Sequence, residues 1–216
     1  MSSSKQTVFI TATDTDAGKT WITASAIRAL LKEGVTAKAL KPIACGLDAN
    51  GRNDDIEALL EAQNLSDADQ INLFSYALPA APSQAAAAES EIVDTDKLVQ
   101  WCKNEADHVD TCLIEGVGGL MVPITDNWLV SDWIEAIPDA EVWLVVGCKL
   151  GAISQTLLTL EKLKQMGRSP SRIIFNAQKP EYNDWITPTR SAIEPFLNQD
   201  CAIHSPNFGE TANLIS

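Results

Sequence analysis

Short apolar runs alternate with amphipathic segments along most of the chain. Several of these runs are apolar at every position, as in Trp143-Leu144-Val145-Val146, instead of alternating apolar with polar residues. Continuously apolar strands are typical of parallel sheets whose two faces are both buried under helices. The pattern predicts strands at residues 7–11, 36–40, 111–115, 141–146, 171–176 and 201–203.

Segments with apolar residues at helical spacing lie between the strands. They predict helices at residues 20–32, 55–62, 95–104, 128–136, 154–166 and 187–197. Strands that alternate with helices indicate a doubly wound α/β fold with a mainly parallel sheet flanked by helices. We expect a single domain over residues 1–216, with residues 79–89 as a loop that enters a short helix. Ligands on such sheets bind beyond the carboxyl ends of the strands.

The first strand leads into the most informative segment of the chain. It runs into the loop Ala12-Thr13-Asp14-Thr15-Asp16-Ala17-Gly18-Lys19-Thr20, and a helical pattern follows. In such a loop the amides and the helix N-terminus face nucleotide phosphates, the lysine reaches the β and γ oxygens, and the threonine hydroxyl ligates Mg²⁺. Thr13 stands where the strict phosphate-loop pattern has its first glycine, but the strand and the helix supply the context that the motif requires. The sequence therefore predicts nucleotide phosphate binding on a P-loop NTPase-like fold.

The charge balance argues against two classes of partner. Acidic residues outnumber basic ones by 29 to 16, which gives a net charge of −13. Such a surface repels nucleic-acid phosphates and anionic lipids, so we expect no nucleic-acid and no membrane partner. The apolar runs are strand-length, and we expect neither a secretory leader nor a membrane span. The cysteines and histidines lack metal-ligand spacing, which favours a reducing cytoplasm over a disulfide framework or a zinc site.

Three further strand ends carry residues suited to phosphate chemistry. Lys41 follows the second strand, and a rigid turn, Pro42-Ile43-Ala44-Cys45-Gly46, comes after it. Glu115 ends a buried strand, and the glycines that follow it allow the backbone to approach a ligand closely. The strand-to-helix turn at residues 147–154 could bind a second anion, such as a substrate carboxylate, at a free helix N-terminus.

Oxygen ligands for Mg²⁺ are present near these strand ends. Mg²⁺ that bridges ATP phosphates prefers oxygen and keeps several waters. Thr20, Glu115 and one acid from Asn53-Asp54-Asp55 would suffice as protein ligands. Asp54 and Asp55 have a second interpretation, as the N-cap and the first-turn acid of the next helix. Both interpretations stay open at this point.

Taken together and in order, these segments resemble dethiobiotin synthetase, the ATP-dependent carboxylase family of biotin biosynthesis. The family loop is G-T-D-T-[ED]-V-G-K-T, which corresponds to residues 12–20. The other matching segments are Lys41-Pro42-Ile43-Ala44-Cys45-Gly46, Arg52-Asn53-Asp54-Asp55, Glu115-Gly116-Val117-Gly118-Gly119 and Val145-Val146-Gly147-Cys148-Lys149-Leu150-Gly151. The resemblance covers nearly the whole chain.

The resemblance implies a reaction in which diaminopelargonic acid, CO₂ (or bicarbonate) and ATP give dethiobiotin, ADP and phosphate. One substrate amine forms a carbamate, and the carbamate oxygen attacks the γ-phosphate. The other amine then closes the ureido ring on the carbamic–phosphoric anhydride. The family works as a homodimer, with the substrate tail held near Gly151 at the subunit interface.

The resemblance also assigns roles to residues. The catalytic residues would be Lys19, Lys41 and Thr15. The ligands of Mg²⁺ would be Thr20, Asp55 and Glu115. ATP would contact Asp16, Ala17, Gly18, Lys19, Thr20, Glu115, Gly116, Gly118 and, at the adenine, Asn176. The substrate would contact Lys41, Cys45, Gly151, Ala152 and Ser154.

The chain departs from the family pattern mainly on the substrate side. Ala12 replaces the first loop glycine, and Cys45 replaces a serine near the carbamate. The family's S-P-H reads Ala81-Pro82-Ser83, Ala152 and Ser154 also differ from the usual residues, and Ala177 stands where an acid is frequent.

Three alternatives remain. One is a related ATP-dependent amidoligase or carboxylase with another substrate, and another is a binding module without turnover. The third is a partition-type or cell-division-site switch ATPase, whose loop resembles K-G-G-x-G-K-[ST]. The chain has Thr13-Asp14 where that class has its extra lysine.

Overall fold

A computed structural model describes residues 5–210 and 214 of the chain. Within these residues the strands are β1 (Gln6–Ala12), β2 (Ala37–Leu40), β3 (Ile43–Cys45), β4 (Phe74–Tyr76), β5 (Thr111–Glu115), β6 (Pro123–Thr125), β7 (Trp128–Leu129), β8 (Glu141–Gly147), β9 (Pro170–Asn176) and β10 (Ala202–His204). The helices are α1 (Lys19–Lys32), α2 (Asp54–Gln63), α3 (Pro82–Ala88), α4 (Thr95–Ala106), α5 (Val130–Ala136), α6 (Ala152–Gln165) and α7 (Asn183–Ile193). Short 3₁₀ helices lie at Ala68–Gln70, Pro180–Tyr182 and Glu194–Phe196. None of these helices is both long enough and apolar enough to cross a lipid bilayer.

Six strands form one parallel sheet in the order β2-β5-β1-β8-β9-β10. From β1 the chain crosses to β2 at one edge of the sheet, and from β8 onward it adds strands on the other side of β1. The strand order therefore reverses at β1. Ligands of doubly wound sheets bind at such a point, beyond the carboxyl ends of the strands. The predicted doubly wound α/β fold is confirmed, and every predicted strand is present.

Two small sheets were not predicted. β3 pairs in parallel with β4, and β6 pairs with β7 in antiparallel. Strands of two or three residues are too short to show the alternation by which a strand is recognised in a sequence. The first of these sheets matters for the site, because it fixes the position of Cys45 opposite Tyr76.

The six predicted helices are present, and their bounds differ from the prediction by one to four residues. The helix predicted at residues 128–136 begins only at Val130, because Trp128 and Leu129 form β7 and the Leu129 amide donates to Asp132 at 2.7 Å. The helix predicted at residues 187–197 is shifted: it begins at Asn183 and ends at Ile193. Pro195 has no amide hydrogen with which to continue the helix, and a 3₁₀ turn at Glu194–Phe196 follows.

The first turn of α2 shows which residue caps the helix. Oδ1 of Asn53 accepts hydrogen bonds from the amides of Asp55 and Ile56, at 3.1 and 3.3 Å. Asn53 is therefore the N-cap, and the interpretation of Asp54 as the cap is wrong. Because the cap is supplied by Asn53, the carboxylate of Asp55 is free to face the site.

The strand ends that carry the site are held by a closely packed core. The central strand is buried from Val8 to Ala12, and the ring of Phe9 meets Trp133 edge-on at 4.9 Å between centroids. A second apolar cluster packs β8 and β9 against α6 and α7. Close packing keeps the loops that follow these strands in fixed positions.

Candidate active site

The carboxyl ends of several strands surround a cavity of about 960 Å³. Most of the residues predicted from the sequence line it: Thr15, Asp16, Gly18, Lys19, Thr20, Lys41, Cys45, Asp55, Gly118 and Asn176. Parallel strands end at the same edge of a sheet, which explains why residues far apart in the sequence meet here.

The phosphate loop connects β1 with α1. Gly18 has φ +97° and is the N-cap of α1, so the first amides of the helix have no side-chain cap. A Cβ at Gly18 would collide with the side-chain amide of Asn176, so this position requires glycine for space as well as for conformation. Ala12, which replaces the family's first glycine, is the buried last residue of β1 and does not have a positive φ. The loop therefore tolerates alanine there.

Lys41 lies between two carboxylates. Its Nζ atom donates to Oδ2 of Asp55 and to Oε1 of Glu115, both at 2.6 Å. Burial alone would lower the pKa of Lys41, but the charges of Glu115 and Asp55 outweigh burial and raise it. Burial alone would raise the pKa of Asp55, but Lys41 and Thr20 hold it below its ordinary value. Lys41 and Asp55 therefore stay charged at neutral pH.

Oxygen atoms suited to a hard cation converge beside this lysine. Oγ1 of Thr20 lies 2.7 Å from Oδ1 of Asp55 and 2.7 Å from Oε1 of Glu115, so its one proton is donated to one of these carboxylates at a time. The second oxygen of Glu115, Oε2, is buried and has no hydrogen-bond partner. A hydroxyl and two carboxylates, one with an unpartnered oxygen, fit the oxygen preference of Mg²⁺.

Lys19 adds a second cation to the same cavity. Its side chain is buried, and burial, followed by the charge of Lys41, lowers its pKa to about 8. The charges of Glu115, Asp55 and Asp16 act in the opposite direction. The cavity wall therefore carries two lysines beside carboxylates, a set of charges that suits a polyphosphate bound together with a divalent cation.

Three of the residues predicted to contact ATP are not among the residues that line the cavity. Ala17 is buried, and its carbonyl oxygen accepts from Nδ2 of Asn176 at 2.9 Å. Glu115 is fully buried, and a Cβ at Gly116 would lie 2.9 Å from the ring of Phe9. Direct contact of Ala17, Glu115 or Gly116 with a ligand stays a prediction.

The predicted substrate turn lies apart from the cavity lining. Gly151 is the N-cap of α6 with φ +92°, Ala152 is buried and Ser154 is exposed. The turn nevertheless contacts the phosphate loop, because Nζ of Lys149 donates to Oδ2 of Asp14 at 2.7 Å. The role of this turn in substrate binding stays a prediction.

The structure adds lining residues to which the sequence assigned no role. The additions are Trp21, residues 79–82, Val117, Val122, residues 177–179 and residues 208–209. Next to residues 79–82, burial raises the pKa of Cys45 to about 11, so its thiol is protonated. The thiol at this end of the cavity is therefore uncharged, and the charges of Lys41 and Glu89 act on it. Some of these residues had a signal in the sequence: Ala81, Pro82, Val117 and Ala177 lie at positions compared with the family pattern, and Trp21 directly follows Thr20.

The fold and the phosphate loop define an ATPase-type domain of the P-loop class, and a family model described as an AAA domain matches residues 6–201. The ATP-dependent dethiobiotin synthetase BioD of Vibrio parahaemolyticus is 35% identical over 195 residues, covering 86% of this chain and 84% of the relative. The BioD of Acidiphilium cryptum is 37% identical over 179 residues, covering 80% of each chain. The chain belongs to the family of ATP-dependent dethiobiotin synthetases, which confirms the resemblance inferred from the sequence.

A solved structure of a ParA family ATPase from Chlorobium tepidum superposes with a TM-score of 0.53. The match covers 94% of this chain and 84% of that one, at 13% identity. Similarity at this level reflects the shared fold, and it adds no support to a partition-type function.

Proposed function

We propose that this chain catalyses the ATP-dependent carboxylation and ring closure of diaminopelargonic acid, giving dethiobiotin, ADP and phosphate. The observation that carries the proposal is the pair of buried lysines, Lys19 and Lys41, in one cavity at the end of a phosphate loop. Phosphoryl transfer needs positioning and charge stabilisation more than covalent chemistry. Two fixed cations beside a triphosphate would supply that stabilisation.

ATP would bind with its phosphates on the loop at residues 12–20. The uncapped amides of α1 would donate to phosphate oxygens, and Lys19 would pair with the β and γ oxygens. Asn176 would contact the adenine, which is consistent with its position against Gly18 and Ala17.

Thr20, Asp55 and Glu115 would hold Mg²⁺, which, when bound, would neutralise charge on the phosphate oxygens. Lys41 keeps two of these acids in place through its 2.6 Å hydrogen bonds. The buried carboxylate of Glu115 in turn holds the ammonium of Lys41 at the cavity wall.

The carbamate would form on one substrate amine with loss of a proton. Lys41 would pair with this anion, and the carbamate oxygen would attack the γ-phosphorus while the bond from phosphorus to the ADP oxygen breaks. The second amine would then attack the carbamate carbon, lose a proton and release phosphate, which leaves with the bridging oxygen. Thr15, on the cavity wall, would donate a hydrogen bond from its hydroxyl to the transferring phosphoryl group.

The chain would act as a homodimer. Three exposed apolar side chains lie at the start of α6 and along it: Leu150, Ile153 and Leu158. Burial of such side chains in a twofold interface would bring the Gly151 turn of one protomer to the site of its partner. Cytoplasmic location is part of the same proposal, since Cys102, Cys112 and Cys148 are buried free thiols that a reducing compartment would preserve.

The experiment that tests the proposal follows an oxygen label. The protein is mixed with diaminopelargonic acid, Mg·ATP and C¹⁸O₂ before the label exchanges with water. We expect ADP release that requires both the amine and CO₂, dethiobiotin by mass spectrometry, and one ¹⁸O atom in the phosphate. ADP release with unlabelled phosphate would contradict the carbamate step. ADP release that occurs only with an amine other than diaminopelargonic acid would indicate a related amidoligase or carboxylase.

A further inference from the structure

One large aromatic side chain on the cavity wall has no role in the chemistry above. Trp21 follows Thr20 in the first turn of α1, lines the cavity and is 45% exposed. Trp133 and Trp143, in contrast, are buried in the core. An indole that stays open to a cavity presents a broad apolar face to whatever binds there.

The indole of Trp21 and the side chain of Asn176 line the same cavity. Gly18, the N-cap residue of α1, comes three residues before Trp21 in the sequence. The side chain of Asn176 lies against Gly18 and donates to the carbonyl of Ala17. Thr20, one residue earlier, faces Asp55 and Glu115 instead. Trp21 is therefore turned away from the cation-binding oxygens.

Residues that follow Asn176 in the sequence also line the cavity. Gln178 and Lys179 line the cavity, and Oε1 of Gln178 is buried without a hydrogen-bond partner. Phe208 also lines the cavity, and its amide donates to Asn183 at 2.8 Å, which ties it to the segment after Lys179. This end of the cavity combines flat apolar rings with amide groups, the two kinds of group that receive a nucleobase.

We propose that the indole of Trp21 stacks on the base of bound ATP and supplies much of the affinity for the nucleoside part. The proposal rests on the proposed nucleotide site and adds to it a residue that the phosphate-loop chemistry does not need. Every base has a π face, so stacking on Trp21 strengthens binding of any purine nucleotide. The side-chain amide groups of Asn176 and Gln178 discriminate between adenine and guanine.

Two ligands distinguish a stacking role of Trp21 from a role in supporting the phosphate loop. Dissociation constants for ATP and for inorganic tripolyphosphate, which has no base, are measured by calorimetry with Mg²⁺. Trp21→Ala should weaken ATP binding about tenfold and change tripolyphosphate binding less than twofold. Trp21→Phe should recover most of the loss, because a phenyl ring retains a π face. In turnover assays Trp21→Ala should raise KM for ATP and leave kcat unchanged.

Trp185→Ala is the matched control, since Trp185 is 41% exposed and does not line the cavity. It should bind both ligands as the wild type does. Equal losses for ATP and tripolyphosphate in Trp21→Ala would show that Trp21 only supports the loop and would overturn the proposal. An unchanged ATP affinity would overturn it as well. Wild-type protein that binds neither ligand would refute the nucleotide site itself, which is a different result from either of these.

Discussion

Nζ of Lys41 lies 2.6 Å from Oε1 of Glu115, and both side chains are buried. A buried ion pair is a poor source of stability, because removing two charges from water costs as much as their attraction returns. Apolar residues of similar size would hold these strand ends together equally well. The pair is therefore better explained by the proposed chemistry at the strand ends, in which a fixed cation would meet phosphate and carbamate oxygens.

Replacing Lys41 with alanine tests this explanation. Loss of the cation should cost about 3 kcal/mol of transition-state stabilisation, which lowers kcat/KM roughly 150-fold. Lys38→Ala is the control, because Lys38 lies on β2, the strand that Lys41 follows, pairs with Glu105 and does not line the cavity. It should remain active. Since Lys41→Ala also leaves Glu115 buried and unpaired, thermal melts must show that the variant is folded at the assay temperature. A folded Lys41→Ala protein with wild-type kcat/KM would contradict the assignment.

Glu115→Gln tests the metal ligands. The amide keeps the shape of the side chain but removes its negative charge, so the Mg²⁺ concentration for half-maximal activity should rise at fixed ATP. Glu105→Gln removes an acid that pairs with Lys38 away from the cavity, and its Mg²⁺ curve should match that of the wild type. If the Glu115→Gln curve also matches, Glu115 only holds Lys41 and the strand end in place.

Cys45→Ser should retain activity, because nothing in the proposed reaction uses a thiolate. The pKa of Cys45 is raised to about 11, so at neutral pH the thiol is protonated. The thiolate fraction grows as pH rises, and alkylation of Cys45 by iodoacetamide should accelerate about tenfold per pH unit from pH 8 to about 11. Mass spectrometry of the alkylated peptide measures this rate. Loss of activity in Cys45→Ser, or a covalent substrate adduct on Cys45, would move the enzyme to a different reaction class.

The sequence predicted the sheet and the charged part of the site because both depend on local pattern. Continuous apolar runs marked the strands, and the order of strands in such folds brings Lys41 and Glu115 to one edge. The nucleoside end depends on contacts between distant segments, so a residue such as Phe208 gave no signal. The start of α5 at Val130 was missed because β7 has only two residues.

The assembly prediction concerns the exposed apolar residues around Gly151. We expect sedimentation as a dimer of about 47 kDa, twice the 23.3 kDa chain. Leu150→Asp should shift the protein towards the monomer and raise KM for diaminopelargonic acid, since burying a carboxylate in an apolar interface is costly. Ile92→Asp, at a side chain 84% exposed and outside the cavity lining, is the control and should stay dimeric. A wild-type monomer with full activity at nanomolar concentration would show that the site is complete within one chain.

The most direct measurement of the central claim, that the loop at residues 12–20 holds the reacting phosphates, is the turnover of Lys19→Ala. Lys19 is buried on the cavity wall, and in the proposed reaction its charge would act on the phosphoryl group most strongly in the transition state. Dethiobiotin formation from diaminopelargonic acid, CO₂ and saturating Mg·ATP is compared between wild type and variant, with circular dichroism to confirm the fold. The account predicts a decrease of about 10² or more in kcat. Unchanged turnover in a folded Lys19→Ala protein would contradict it.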